Sequence, residues 1–203
     1  MMMKKLLLAG LLLCGWAAAP AAAQDWGDIL KKAATTAADK LTGGKLTEAA
    51  LIGTWNYTAP AVKFESDNVL SELGGTAIES TITGKLETGY AFVGIKEGAA
   101  SFIFNNDNTF TAVLGKAKNL SGTYEFDASN HEITLVFSSG SKFNLGTLNG
   151  HVYLSGSELQ LVFPVTKLVN VITAIGSKVS SLQTIASLLE KYKEVYIGFA
   201  FAK

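Results

Sequence analysis

The sequence predicts a mainly β protein, an antiparallel barrel of about eight strands with helical insertions. Three observations lead to this prediction. Apolar and polar residues alternate with a period of two over most of the chain after residue 100, turn-forming runs separate the alternating segments, and stretches with helical spacing interrupt them. So many successive antiparallel strands form either a barrel or a sandwich, and we favour the barrel because the C-terminal strand can close against the first.

Residues 1–23 have the layout of a secretory signal peptide. Lys4 and Lys5 precede an apolar stretch from Leu6 to Ala19, and three alanines end at Ala23, where we place cleavage. The stretch is shorter than the roughly 20 residues of a membrane helix, and no later segment supplies one. We therefore expect an exported protein without a transmembrane segment, periplasmic or secreted, and association with the outer membrane stays open.

The only cysteine, Cys14, lies inside the apolar stretch of the signal. It is either a lipid-modified cysteine or ordinary filler, and Leu13 before it is not the small residue that normally precedes a lipidated cysteine. Cleavage after Ala23 leaves a chain without cysteine. Its stability must then come from packing and not from disulfides.

The charge of the chain is nearly balanced, and every basic residue is lysine. Without residues 1–23 the chain keeps 15 basic and 17 acidic residues, a formal charge of −2. Arginine is the preferred bidentate ligand of phosphates and bases, so its absence weighs against nucleic-acid recognition. A small or neutral partner fits the composition better.

We divide the chain into the signal peptide (1–23), an N-terminal helix and linker (24–46) and a barrel domain (47–203). Apolar residues recur at helical spacing from Asp25 to Leu41, and Gly43 and Gly44 end that pattern. Within the barrel domain, we place helical insertions near residues 66–90 and 165–193.

The first strand is predicted at residues 51–58, where Gly53, Trp55 and Tyr57 alternate with polar residues. Pro60 breaks or bends it, and the alternation resumes up to Phe64. One ridge of residues spaced at multiples of four then predicts one helix or two, and the ridge consists of Leu70, Ile78, Ile82, Leu86 and Tyr90. A helix inserted there is expected to plug or flank whatever the strands enclose.

The remaining strands follow one another with short connections. The pattern predicts one hairpin around the turn 105–108, another around 127–130, one bent strand or two short ones over 142–155, and a strand that ends at Pro164. Two helical stretches and a final strand from Val195 to Phe201 complete the domain. We place His151 in a turn, because it follows Asn149 and Gly150.

Several short motifs resemble an uncharacterised family of exported lipocalin-like proteins of Bacteroides-type bacteria. The segment 53–66 begins with the Gly-x-Trp signature of calycins at Gly53 and Trp55, and residues 104–110, 121–124 and 198–199 extend the likeness over nearly the whole domain. The resemblance implies an eight-stranded lipocalin-like barrel, with Gly53 and Trp55 in structural roles at its closed end. It supplies no catalytic residues, and the helical insertions depart from typical lipocalins.

The aromatic residues of the strands either line a hydrophobic cavity or fill the core, since a barrel of this size permits both. Our candidates for the lining are Tyr57, Phe102, Phe104, Phe110, Tyr124 and Phe126. A site of this composition would bind a small hydrophobic molecule such as a fatty acid. The alternative is a packed barrel that acts as an interaction module of the cell envelope, with an unknown protein partner.

The residues do not predict an enzyme, a metal site or a cofactor. Catalysis would need a base or nucleophile, and the sequence offers two histidines, His131 and His151. His131 adjoins Glu132, but adjacent residues of a strand point to opposite faces, so this pair is not a local dyad. The positions of the two histidines also lack the spacing of metal ligands, and no glycine-rich loop has the pattern of a phosphate site.

Overall fold

A computed structural model of the chain describes residues 45–65, 76–138, 145–176, 179–189, 192 and 195–203. The predicted signal peptide and the predicted helix over 25–41 lie outside these residues. Eight strands form one closed antiparallel barrel in which each strand pairs with its neighbours in the chain and β8 pairs with β1. The predicted fold class and the closure between the first and last strands are confirmed.

The strands are β1 (Gly53–Phe64), β2 (Ala100–Phe104), β3 (Thr109–Leu114), β4 (Ala117–Asp127), β5 (Glu132–Phe137), β6 (Thr147–Ser155), β7 (Glu158–Pro164) and β8 (Val195–Ala202). The helices are α1 (Lys45–Leu51), α2 (Thr76–Phe92), α3 (Val165–Gly176) and α4 (Ser180–Leu189). The sequence pattern did not indicate α1, because its seven residues are too few to show a helical period.

Alternate residues of each strand face the inside of the barrel, as the two-residue period requires. In β2, for example, Ala100, Phe102 and Phe104 are buried whereas Ile103 is exposed. The buried residues of the described part of the chain are all apolar or aromatic. One core therefore runs through the barrel and continues between the barrel and the helices.

The first strand is continuous through Pro60, and it closes the barrel by pairing with both β2 and β8. Its first residues pair with β2, and residues from Asn56 onward pair with β8. The register shifts between Tyr57 and Ala59, which marks a bulge where the strand bends. The expected break at Pro60 is therefore an irregularity two residues earlier, within one strand of 12 residues.

The turn at 105–108 joins β2 to β3 as predicted. The Asp107 carboxylate accepts hydrogen bonds from the backbone N–H and the hydroxyl of Thr109, at 3.1 and 2.6 Å, and these bonds lower the pKa of Asp107. Asn108 has a φ of 61°, a left-handed conformation that asparagine tolerates. Short polar side chains therefore define this turn.

The predicted turn at Asn149, Gly150 and His151 is wrong, because all three residues lie within β6. Gly150 is needed there for close packing: a Cβ at this position would lie 2.3 Å from the carbonyl oxygen of Val162. An asparagine and glycine pair usually signals a turn, and here tertiary packing requires the glycine instead.

The two ends of the barrel differ. At one end, which we call the α1 end, β1 begins, β8 ends, and α1 lies close by. At the other, which we call the helical end, β1 leads into α2, and β7 leads through α3 and α4 to β8. Helix α2 packs against α4 and β1, and α3 packs against α4, β7 and β8. The three longer helices therefore cover the helical end.

Candidate ligand site inside the barrel

The structure places all six predicted lining residues on the inward faces of the first four strands. They are Tyr57 of β1, Phe102 and Phe104 of β2, Phe110 of β3, and Tyr124 and Phe126 of β4. Five of them are buried, and Phe126 is partly buried against the same core. The structure therefore brings the predicted set together, but whether these residues bind a ligand stays a prediction.

Phe102 lies at the centre of this ring cluster. Its centroid is 5.7 Å from that of Phe104, 5.9 Å from that of Phe110 and 5.7 Å from that of Phe201. These are contact distances for aromatic rings, so the space between the rings is filled. Phe201 of β8 belongs to the cluster although the predicted lining did not include it.

Tyr90 of α2 enters the barrel interior from the helical end. Its ring centroid is 5.0 Å from that of Phe199 and 6.4 Å from that of Tyr57. Its hydroxyl donates a hydrogen bond of 3.1 Å to the backbone oxygen of Gly198 in β8. Tyr90 is fully buried, and the helix that carries it thereby plugs the barrel.

Burial controls the protonation of both phenols at this position. It raises the pKa of Tyr90 well above its ordinary value near 10, and the neighbouring Tyr57 adds to the effect. Burial also raises the pKa of Tyr57, with a further contribution from the negative charge of Glu87. Both side chains are therefore neutral at physiological pH, and the Tyr90 hydroxyl remains a hydrogen-bond donor.

The sequence prediction missed Tyr90 as a residue of the barrel interior. The available signal was its place at the end of the ridge that includes Ile82 and Leu86, on a helix that was expected to plug or flank the barrel. That signal predicts a buried side chain, but it does not reveal how far the side chain reaches between the strands.

Trp55 and Lys203 close the α1 end. Trp55 is fully buried, and its indole N–H donates a hydrogen bond of 2.7 Å to the backbone oxygen of Leu51, the last residue of α1. The Lys203 ammonium lies 4.5 Å from the centroid of the Trp55 ring and donates to the backbone oxygens of Ala50 and Ile52, at 2.8 and 3.1 Å. One cation thus joins the tryptophan to the end of α1.

Gly53 lies beside this contact with a φ of 127°, a conformation that favours glycine. A Cβ at this position would lie 3.4 Å from the Cε of Lys203. Gly53 therefore starts β1 in a backbone conformation that side chains disfavour, directly under the stem of the lysine.

The ring cluster has almost no surface to offer a ligand in this structure. A chamber for a lipid would leave its lining side chains accessible, whereas Tyr57 is 4% exposed, Phe102 1% and Phe110 0%. This part of the barrel is therefore filled by its own side chains and by Tyr90. A ligand can enter it only if one of these groups moves.

Both histidines lie outside the barrel interior. His131 is exposed in the turn before β5, with a φ of 57°, and His151 lies half-buried on the outer face of β6. The His151 ring is 4.8 Å from that of Tyr196, and the Tyr153 ring is 5.7 Å from that of His131. Within the described residues, no group of three or more His, Cys, Asp or Glu side chains is placed to hold a metal ion.

None of the helices in the described ranges is long and apolar enough to cross a membrane.

The closed eight-stranded barrel with a tryptophan near the start of β1 defines a lipocalin-like protein. The chain belongs to the family named "Lipocalin-like domain (DUF4923)", whose profile matches residues 27–203. The resemblance drawn from the sequence is thereby confirmed.

No curated protein matches the chain significantly. The chain is similar to a solved structure of a DUF4847 family protein from Bacteroides vulgatus ATCC 8482, with 15% identity over 77% of this chain and 96% of that chain. The TM-score of 0.38 is too low for that likeness to bear on the fold or the function.

Proposed function

We propose that this protein binds a small apolar ligand inside its barrel, and that the ligand takes the place that Tyr90 of α2 occupies in the closed state. The observation that carries the proposal is the insertion of Tyr90 among the rings of Tyr57 and Phe199. The protein acts by binding and not by catalysis in this proposal, and we expect it to act outside the cytoplasm because a signal peptide is predicted for residues 1–23.

Helix α2 has features of a displaceable plug. The strands close the barrel through their own pairing, without α2. Four threonines and two glycines among its 17 residues are poor helix formers. The hydroxyls of Thr81, Thr83 and Thr88 also bond back to carbonyl oxygens four residues earlier, a pattern that weakens helices slightly. Packing of the buried ridge, and not helix propensity, therefore holds α2 in place.

The contact between α2 and α4 is close and incompletely satisfied. A Cβ at Gly89 of α2 would lie 2.7 Å from the Cγ of Leu182 in α4, so this glycine permits the approach. The hydroxyl of Ser181 is buried at the same place without a hydrogen-bond partner. A buried unpaired hydroxyl costs about 1 to 3 kcal/mol, which lowers the stability of the closed state.

The cost of opening sets the apparent affinity. Withdrawing Tyr90 alone exposes one buried aromatic side chain and breaks one hydrogen bond, about 3 kcal/mol in total. This is the minimum cost of opening, because displacement of the whole helix would also expose Ile82 and Leu86. A ligand must bury roughly 120 Å² of apolar surface to offset that cost before it gains any affinity. Expressed as a binding constant, the same minimum cost lowers the apparent affinity by roughly 100-fold relative to an open barrel. We therefore expect a ligand larger than one ring, such as a fatty acid.

A disulfide between α2 and α4 tests the proposal. A Cβ at Gly89 lies 3.0 Å from the Oγ of Ser181, so cysteines at these two positions are close enough to bond once the Leu182 side chain shifts. The double variant, Gly89→Cys with Ser181→Cys, is made without residues 1–23, which removes Cys14. Calorimetry with delipidated protein and fatty acids of 8 to 16 carbons then compares the oxidised and reduced forms.

We expect the reduced variant and the unmodified chain to bind at least one member of that panel, and the oxidised form to bind it at least about tenfold more weakly. The reduced form is the matched control, because it has the same sequence. Equal binding by the two forms would contradict displacement of α2. Failure of the unmodified, folded chain to bind any member would contradict the ligand function itself.

A second candidate function is a packed barrel that meets a protein partner through its outer surface. The filled interior favours this function. The outer face also carries four neighbouring rings of a composition that suits a protein interface, those of His131, His151, Tyr153 and Tyr196. A folded chain that binds no hydrophobic ligand, and whose partner is lost in the variant Tyr153→Ser with Tyr196→Ser, would establish this function.

A further inference from the structure

Tyr90 occupies a site with the features of a binding site for a phenol. Its ring is fully enclosed, it lies edge-on to Tyr57 at an interplanar angle of 67°, and it is tilted by 38° against Phe199. A single polar contact fixes its outer end, the 3.1 Å hydrogen bond from the hydroxyl to the Gly198 oxygen. Ring walls and one buried acceptor would select for an aromatic molecule with one donor.

We propose that the space filled by the Tyr90 side chain is a subsite for the phenol group of the ligand, with Gly198 as the hydrogen-bond acceptor. The inference rests on the proposed function, since the plug must leave before a ligand enters. It goes further by naming the chemical class: a phenol with an apolar tail, for which Tyr90 is the stand-in within the chain.

The position of Gly198 explains why the acceptor is available to a ring. Gly198 pairs with Ala61 of β1 and Val162 of β7, and a Cβ on it would lie 2.0 Å from the oxygen of Leu161. Only glycine fits between these strands, so the backbone at this point has no side chain of its own. The ring of Tyr90 therefore packs against Phe199, the next residue of β8.

Phe102 provides a matched control within the same barrel. Like Tyr90 it is almost fully buried, but its ring contacts are the phenylalanines Phe104, Phe110 and Phe201. Truncation of Phe102 to alanine removes a benzene ring, and truncation of Tyr90 removes a phenol. The two cavities should therefore differ in their preference for a hydroxyl.

The test measures the binding of phenol and benzene to Tyr90→Ala and to Phe102→Ala, by calorimetry on chains shown to be folded by circular dichroism. We expect Tyr90→Ala to bind phenol at least about fivefold more tightly than benzene, because the bound hydroxyl regains one hydrogen bond. We expect Phe102→Ala to bind benzene at least as well as phenol. Equal binding of the two probes by Tyr90→Ala, or binding of neither, would overturn the phenol subsite.

A second arm keeps the proposal testable if Tyr90→Ala does not fold. Tyr90→Phe keeps the ring of the plug and loses only its hydrogen bond, so it should still fold. We expect it and the unmodified chain to bind 4-butylphenol at least about fivefold more tightly than butylbenzene. Fatty-acid binding without this preference would overturn the phenol subsite and leave the proposed function standing, whereas binding of no probe would overturn both.

Discussion

The indole of Trp55 is the side chain whose removal tests the α1 end most severely. It is fully buried, its N–H bonds to the oxygen of Leu51, and its ring lies under the ammonium of Lys203. We expect Trp55→Ala to lower the free energy of unfolding by about 3 to 5 kcal/mol, the range for a large buried aromatic residue. Trp55→Phe keeps an aromatic ring but loses the hydrogen-bond donor, so we expect it to lower the free energy of unfolding by about 1 to 2 kcal/mol.

Urea denaturation followed by circular dichroism measures both changes. With a slope of about 2 kcal/mol/M, the alanine variant should unfold at a midpoint roughly 2 M lower. The phenylalanine variant separates the loss of the hydrogen bond from the loss of packing. A cost below about 1 kcal/mol for Trp55→Ala would refute the assignment of Trp55 to the core of this end.

Four further predictions concern other parts of the chain. Lys203→Met should lower the free energy of unfolding, measured by urea denaturation, by about 1 to 2 kcal/mol. It removes two hydrogen bonds and a cation–π contact but keeps an apolar side chain of similar length. Gly150→Ala should cost at least about 2 kcal/mol, since its Cβ meets a backbone oxygen, whereas Gly84→Ala has open space and should stabilise α2 by about 0.5 to 1 kcal/mol. Because the pKa of Tyr90 is raised, its contribution to stability is constant below pH about 10 and falls above it, where the unfolded phenol ionises, so Tyr90→Phe should show a shallower alkaline fall in melting temperature. Mass spectrometry of the exported protein should find cleavage after Ala23 and no lipid, and a retained leader would contradict the predicted signal.

The strands could be predicted because each side of the barrel wall has a different environment. One buried face and one solvated face impose an alternation that is visible in single strands such as β3 and β5. The closure was predictable as well, because Val195 to Phe201 alternates like the first strand. The turn at 105–108 was readable from side chains that bond to the backbone of their own turn.

Other features depend on contacts between distant parts of the chain, and local patterns do not contain them. The glycine at 150 signals a turn by composition, and only the oxygen of Val162 explains its place in a strand. At the α1 end, the Lys203 ammonium bonds to backbone carbonyls about 150 positions earlier in the chain. No local period reports such a contact.

The sequence could not decide whether the barrel interior is filled or open. The inward aromatic residues were predicted as a set, but filling and lining give the same alternation. The depth to which Tyr90 enters the barrel decides between them, and it depends on how closely Gly89 lets α2 approach α4. That depth is set by contacts among α2, α4 and β8, which are separate in the sequence.

Hydrogen exchange of α2, with and without a bound fatty acid, tests the central claim most directly. The probe is dodecanoic acid or the tightest-binding member of the panel, added to the delipidated, unmodified chain at saturation. If the ligand takes the place of Tyr90, the amides of Thr81 to Tyr90 should exchange faster in the complex, while those of β3 to β5 keep their protection. Unchanged or greater protection of α2 in a saturated complex would contradict the claim that this helix gives up its place to the ligand.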